Sequence, residues 1–305
     1  MRPFSHIAGE LLNNRCIQIE GSKADNLIAK HAFDEEVSYR SMSKSLTCFS
    51  CSHVVPSSHI KLICLSHGPT STKLDFRHAS RASNDVCDEL GRVLYNVSCV
   101  VPAGVVVFLP SYSYLSLVVK HWKRTGAMAK IREKKRLYLE PRNAREVEET
   151  LNSFSTDACN SKRGAVLLSV VGGKMSEGIN FADDMARCVL VAGLPYPDIT
   201  SPELKEKMRL MDEAVKEKTG GISGQKYYHN LCMRAINQSI GRAIRHEKDY
   251  ATIILADARY SSDDRVWQGL PDWLKSNSDR KVKGSYGQHL IMPLRSFFKR
   301  LSKNY

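Results

Sequence analysis

No apolar run in this chain approaches the roughly 18 residues that a membrane-crossing helix needs. The first residues, Met1-Arg2-Pro3-Phe4-Ser5-His6, lack the apolar core of a secretory signal. Membrane insertion and secretion are therefore not expected, and the chain reads as intracellular. Internal repeats and long low-complexity segments are missing too, which excludes a repeat array. Acidic residues are in short supply: 32 Asp and Glu stand against 45 Lys and Arg, a formal charge of +13. That surplus favours polyanionic partners, nucleic acid above all. Nine cysteines lie at irregular spacing, which in an intracellular chain means reduced thiols and no disulfide framework. Cys48-x-x-Cys51, with His53, His59, Cys64 and His67 nearby, comes nearest to a zinc site, but a second close pair is missing. No metal ligand is assigned.

What is present is a rhythm. Residues 1–60 are irregular and rich in Ser, Lys and His, and from residue 61 short apolar runs alternate with helical patterns. Strands are expected at 61–65, 104–109, 137–139, 165–171, 188–192 and 251–256. Helices are expected at 83–97, 114–122, 144–154, 202–218 and 227–245. Continuous apolar strands between helices predict an α/β fold, a parallel sheet flanked by helices. Ligands bind such sheets beyond the carboxyl ends of the strands, so functional residues are expected directly after the apolar runs. The basic stretch Arg132-Glu133-Lys134-Lys135-Arg136 reads as a solvated helix end.

After the run 165–171 comes Gly172-Gly173-Lys174-Met175-Ser176-Glu177-Gly178-Ile179-Asn180-Phe181. Its glycines permit sharp turns and close approach, and its polar residues could grip phosphates. A phosphate-binding loop of the form G-x-x-x-x-G-K-[ST] fails twice, at Leu168 and at Met175. A plain glycine-rich turn accounts for the segment equally well. In the helix expected at 227–245, Met233, Ile236, Ile240 and Ile244 fall on one face, with Gln238, Gly241, Arg242 and Arg245 opposite. Two guanidiniums one turn apart can grip one phosphate group. The alternative is a solvated face ion-paired with Glu247 and Asp249.

These segments carry a resemblance. Gly173–Phe181 resembles motif V, and Gln238-Ser239-Ile240-Gly241-Arg242-Ala243-Ile244-Arg245 motif VI, of the iron–sulfur XPD-like group of superfamily 2 DNA helicases. Val106-Val107-Phe108-Leu109-Pro110-Ser111-Tyr112 resembles their motif IV, and Gly193-Leu194-Pro195-Tyr196-Pro197 and Asp257-Ala258-Arg259-Tyr260 match further blocks in order. Asn180, where most relatives have Asp, and Cys48–Pro56 resemble the chromosome-loss, or sister-chromatid-cohesion, branch.

The resemblance implies that residues 61–305 form a second RecA-like domain. Residues 1–60 would then be the tail of a first motor domain plus a linker. It implies ATP-driven 5′→3′ translocation on single-stranded DNA, unwinding of forked DNA in chromosome maintenance, and a nuclear location. Arg242 and Arg245 would act as arginine fingers on ATP, with Gln238 placing the phosphates. Glu177, Gly178, Asn180 and Gly241 would line the nucleotide site, and Ser111, Lys174 and Ser176 would contact the DNA backbone. Tyr112 and Tyr114, at a helix start, read as packing residues. A first motor domain in cis would supply magnesium ligands and the iron–sulfur cluster, and replication or cohesion proteins would be partners. This chain has no Walker A loop and no DEAH box after an apolar strand, so by itself it is expected to be inactive as an ATPase. A different class of function, a non-catalytic module that binds DNA or a partner protein, would need no such loop.

Overall fold

The computed structural model describes residues 15–19 and 46–50 as strands, and residues 55–175, 179, 181–216, 221–276, 278, 280 and 284–301. Strands β1 (Arg15–Ile19) and β2 (Leu46–Ser50) pair antiparallel, with Arg15 opposite Ser50. Five-residue strands set in polar sequence leave little periodicity, which is why residues 1–60 read as irregular.

From residue 60 the order is β3 (Ile60–Leu65), α1 (Asn84–Val100), β4 (Gly104–Leu109), α2 (Tyr112–Thr125), α3 (Ala127–Lys134), β5 (Arg136–Leu139), α4 (Val147–Asn160), β6 (Ala165–Val170) and β7 (Cys188–Ala192). Then follow α5 (Pro202–Lys216), α6 (Gly224–Ile240), β8 (Ala251–Ala256), three short helices α7 (Ala258–Ser262), α8 (Asp264–Gln268) and α9 (Asp272–Lys275), and α10 (Met292–Leu301). Strands β3 to β8 form a six-stranded sheet in the order β3-β8-β7-β4-β6-β5, and every neighbouring pair is parallel. Every residue of β4, β6, β7 and β8 is buried, whereas edge strand β5 is partly exposed. That is the expected α/β sheet covered on both faces.

Alternate residues serve the two faces. Val105, Val107, Leu109, Val166, Leu168, Leu190 and Ile254 pack with Leu90 and Leu94 of α1, Val118 and Trp122 of α2, Ile131 of α3 and Phe297 of α10. On the other face Phe108 and Phe154 of α4 each meet Phe181 edge to face, with ring centroids 6.4 and 6.3 Å apart. The Trp122 indole donates to Cys87 O at 2.8 Å, which satisfies its buried N–H. Gly126, at φ +77°, ends α2 in the left-handed conformation and starts α3 at once. The basic helix end is solvated as expected at Arg132, Glu133, Lys134 and Arg136, and Lys135 is the exception. Lys135 is buried, and its ammonium donates to Ala103 O at 2.7 Å and Arg163 O at 3.2 Å. Burial pulls its pKa down to about 8.

Contacts divide the chain into two compact units. Val55–Pro195 with Cys232–Tyr305 holds the six-stranded sheet. In the other, Met1–Val54 with Tyr196–Leu231, the Tyr228 hydroxyl donates to Pro197 O at 2.9 Å and Gly224 N to Asp212 Oδ1 at 2.8 Å.

Candidate functional site

A parallel sheet aligns the exits of its strands along one edge. Residues 110–112 leave β4, 140–142 leave β5, 171–175 leave β6 and 257–260 leave β8. At the first exit Ser111 caps α2: its hydroxyl accepts from Tyr114 N at 3.2 Å and lies 2.9 Å from Ser113 Oγ. Tyr114 is buried and meets Phe76 edge to face at 6.2 Å, a packing role. Tyr112 stays half-buried, and its hydroxyl donates to Glu140 Oε1 at 2.6 Å. Burial first, and then this bond, push the phenol above its ordinary pKa.

Glu140 had no role in the sequence reading. Its carboxylate is buried, and Oε2 accepts from Ser169 Oγ at 2.6 Å and Val170 N at 2.8 Å, while Oε1 accepts from Tyr112 and from Met175 N at 3.1 Å. A Cβ on Gly173 would lie 2.3 Å from Oε1, so glycine is required at that turn. Lys174 is exposed; its N–H donates to the Tyr112 hydroxyl at 3.3 Å and its ammonium to Arg142 O at 2.8 Å. The Arg142 guanidinium lies 5.9 Å from the Tyr112 ring centroid. A groove of about 390 Å³ is lined by Tyr112, Lys120 and Lys123 of α2 and by Glu140 and Arg142. Lys174 is thus bonded to the side chain of the residue that follows Ser111. Ser176, Glu177, Gly178 and Asn180 lie outside the described residues.

The arginine segment departs from the expected geometry. Met233, Ile236, Ile240 and Ile244 are buried as expected, but α6 ends at Ile240, not Arg245. Gly241 N closes the last bond to Asn237 O at 2.9 Å, and Ala243 and Ile244 then turn into the core. The buried Asp249 carboxylate accepts from Tyr250 N at 2.8 Å and Arg245 N at 3.3 Å, competing with helical bonding. Gln238 is exposed on the final turn, Arg242 is half-buried and Arg245 exposed. Arg242 Nη1 donates to Ile179 O at 2.9 Å, which ties this segment to the β6–β7 connection. The segment enters β8 at its amino end, so not every candidate residue follows a strand.

Beside it Arg187 binds Asp249 Oδ1 at 2.9 Å, Asp184 at 2.9 Å and Tyr250 O at 2.9 Å, and its guanidinium lies 3.9 Å from the Tyr250 ring centroid. Among the described residues, Asp183, His246 and Asp249 form a grouping of metal-ligand types, but Arg187 already neutralises it. Of the cysteine–histidine group, Cys51 and His53 lie outside the described residues, and burial pushes the Cys64 thiol up to about 12, away from a ligating thiolate. At the β8 exit, buried Asp257 accepts from Phe76 N at 3.2 Å and from Arg259 Nε at 2.9 Å and Nη2 at 2.8 Å, and Tyr260 donates to Gly193 O at 2.9 Å.

A family model described as the helicase C-terminal domain matches residues 94–277, more than half of the chain and every loop above. The chain belongs to the helicase C-terminal domain family. ATP-dependent DNA helicase DDX11 of Danio rerio is 42% identical over 84% of this chain and 29% of its own length. The DDX11 of Mus musculus is 44% identical over 78% of this chain and 27% of its own. ATP-dependent DNA helicase chl1 of Schizosaccharomyces pombe is 36% identical over 90% and 32%. This helicase domain therefore spans about a third or less of the relatives it matches. Among solved structures, one named XPD_APO overlays with a TM-score of 0.48 and 21% identity, over 72% of this chain and 38% of that chain. The family expected from the motifs, and the branch suggested by Asn180 and Cys48–Pro56, agree with these relatives.

Proposed function

We propose that residues 61–305 are the second RecA-like motor domain of an ATP-dependent DNA helicase, and that residues 1–60 carry the tail of the first domain and a linker. One observation supports the reading: Arg242 Nη1 donates to Ile179 O, so the arginine segment is tied to the main chain of the connection that leaves β6 and carries Lys174. Nucleotide and DNA contacts thereby share one piece of backbone.

In this reading ATP and magnesium lie in a cleft between two motor domains. Arg242 and Arg245 reach the γ-phosphate from across it, and Gln238 and Gly241 border the phosphates. Guanidiniums there stabilise charge on the transferring group, a contribution of about 10³–10⁵ in rate. Glu177, Gly178 and Asn180 border the nucleotide, while Ser111, Lys174 and Ser176 follow the backbone of single-stranded or forked DNA without reading sequence. Cys64, Cys188 and Cys232 lie apart, on β3, β7 and α6, and burial pushes each thiol up to about 12. They do not suit an iron–sulfur cluster, which this reading assigns to the first domain. Movement 5′→3′, work in chromosome maintenance in the nucleus, and replication or cohesion partners complete the proposal.

The test joins this chain to a first motor domain from a relative and measures DNA-stimulated ATP turnover and melting on the same preparation. Arg242→Ala or Arg245→Ala is expected to lower turnover by at least about 10²-fold, with melting little changed for exposed Arg245 and lowered for half-buried Arg242, which also loses its bond to Ile179 O. Lysine, lacking the planar fork, restores neither position fully. Near-normal turnover in both variants, or losses that only follow unfolding, would refute the finger assignment, and no DNA-stimulated turnover by the wild-type fusion would favour a non-catalytic module.

A further inference from the structure

A buried carboxylate needs a reason. The Glu140 carboxylate is held by four uncharged donors, the Ser169 and Tyr112 hydroxyls and the Val170 and Met175 amides. They come from the exit of β4 and from the last residues and exit of β6, and Glu140 itself directly follows a third strand, β5. Two residues on, Arg142 repeats the pattern from the surface: its carbonyl holds the Lys174 ammonium and its guanidinium lies beside the Tyr112 ring. Charged acceptors make stronger and more directional bonds than neutral ones. A single carboxylate at this point fixes both loops relative to each other, and Gly173 is kept free of a side chain to let it do so.

We propose that Glu140 is a positioning residue for DNA: it locks Tyr112 and residues 171–175 into one rigid unit, so that Ser111 and Lys174 present a fixed spacing to successive phosphates. The proposal rests on the reading of these loops as DNA-facing. It makes a distinctive demand, because charge and position act in opposite directions. Removing a carboxylate beside a polyanion tightens binding if only the field matters. Weaker binding on its removal is the mark of lost positioning.

The experiment uses the 305-residue chain, a labelled oligothymidylate at low salt, and hydrogen exchange without DNA. Glu140→Gln cannot accept from all four donors, so at least one buried N–H or O–H loses its partner. Exchange across residues 169–175 is expected to speed up by about tenfold or more, one decade for each unmet buried donor. Residues 104–109 and 188–192 should stay protected. Oligonucleotide affinity should fall by about threefold to tenfold despite the lost negative charge. Tyr112→Phe removes the hydroxyl that joins Oε1 to Lys174 N, leaves the Met175 and Val170 amides on the carboxylate, and should loosen 173–175 while sparing Val170; it also keeps the test open if the glutamine variant does not fold. Unchanged exchange at 169–175, or equal acceleration throughout the sheet, would overturn the proposal. So would a loosened loop with unchanged or tighter DNA binding, which removes the proposal alone. Failure of the wild-type chain to bind the oligonucleotide removes the DNA reading, and the proposal with it.

Discussion

Arg187→Met tests whether the arginine segment is held in place by the buried ion pair beside it. Arg187 is 7% exposed in its side chain and Asp249 is fully buried, and they meet at 2.9 Å. Removing one partner of such a pair costs about 3–5 kcal/mol, because a charge is left buried without compensation. Two features pull the figure towards the lower end. Asp249 keeps the amides of Tyr250 and Arg245, and methionine still fills much of the space over the Tyr250 ring. The guanidinium–ring contact adds back about 1–2 kcal/mol. We therefore expect a loss of about 4 kcal/mol in urea unfolding, or roughly 8–16 °C in Tm for a domain of this size. Asp249→Asn should lose a similar amount, and the double variant less than the sum of the two. A loss below about 1 kcal/mol, or full additivity, would refute the pairing argument. Because Asp249 also holds Arg245 N, the reasoning extends to the site: joined to a first motor domain, Arg187→Met should reduce ATP turnover even well below its melting temperature.

Lys135 gives a pH signature. Its pKa is about 8 when folded against 10.5 unfolded, so the unfolded chain binds more protons between those values. Its contribution to stability is lost as pH falls through 8 and recovers by about 1 kcal/mol per unit as pH rises towards 10.5. The stability difference between wild type and Lys135→Met should carry that upward slope; a flat or falling difference would count against it. Gly173→Ala should cost about 1–3 kcal/mol, since its Cβ meets Glu140 Oε1 at 2.3 Å and Val170 O at 2.8 Å. Gly126→Ala, with nothing within 4 Å, should cost only the left-handed penalty of about 1–2 kcal/mol, and melting curves compare the two. Single-stranded DNA binding should weaken steeply between two salt concentrations and show little sequence preference, whereas salt-independent binding would contradict a phosphate-tracking surface.

The sheet was legible because its strands are continuous apolar runs: the expected run 104–109 is strand β4, and 165–171 overruns β6 by one residue. The core face of α6 was legible from period alone, with Ile236 and Ile240 fully buried. Its end was not. The local mark, Gly241 directly after Ile240, was read as room for a ligand instead of a helix end, and the acceptor that holds the turned segment, Asp249, lies nine residues beyond Ile240. Lys135 looked like one more surface cation, since its carbonyl partners are set by the turns before β4 and β6. Glu140 was invisible for the same reason: its partners lie 28 to 35 residues away, and an isolated glutamate ahead of a proline carries no pattern.

The bond from Arg242 ends on the carbonyl of Ile179, as that from Lys174 ends on the carbonyl of Arg142. Every amino acid carries that oxygen. Drift at the accepting positions therefore leaves both attachments intact, and while the Arg242 and Lys174 donors are kept only a change in the path of the chain can break them. Loops exchanged between relatives at about 40% identity should keep these fastenings provided their lengths match, so insertions here matter more than substitutions. Sequence divergence at residue 179 is thus a poor guide to whether the attachment persists, and loop length a good one.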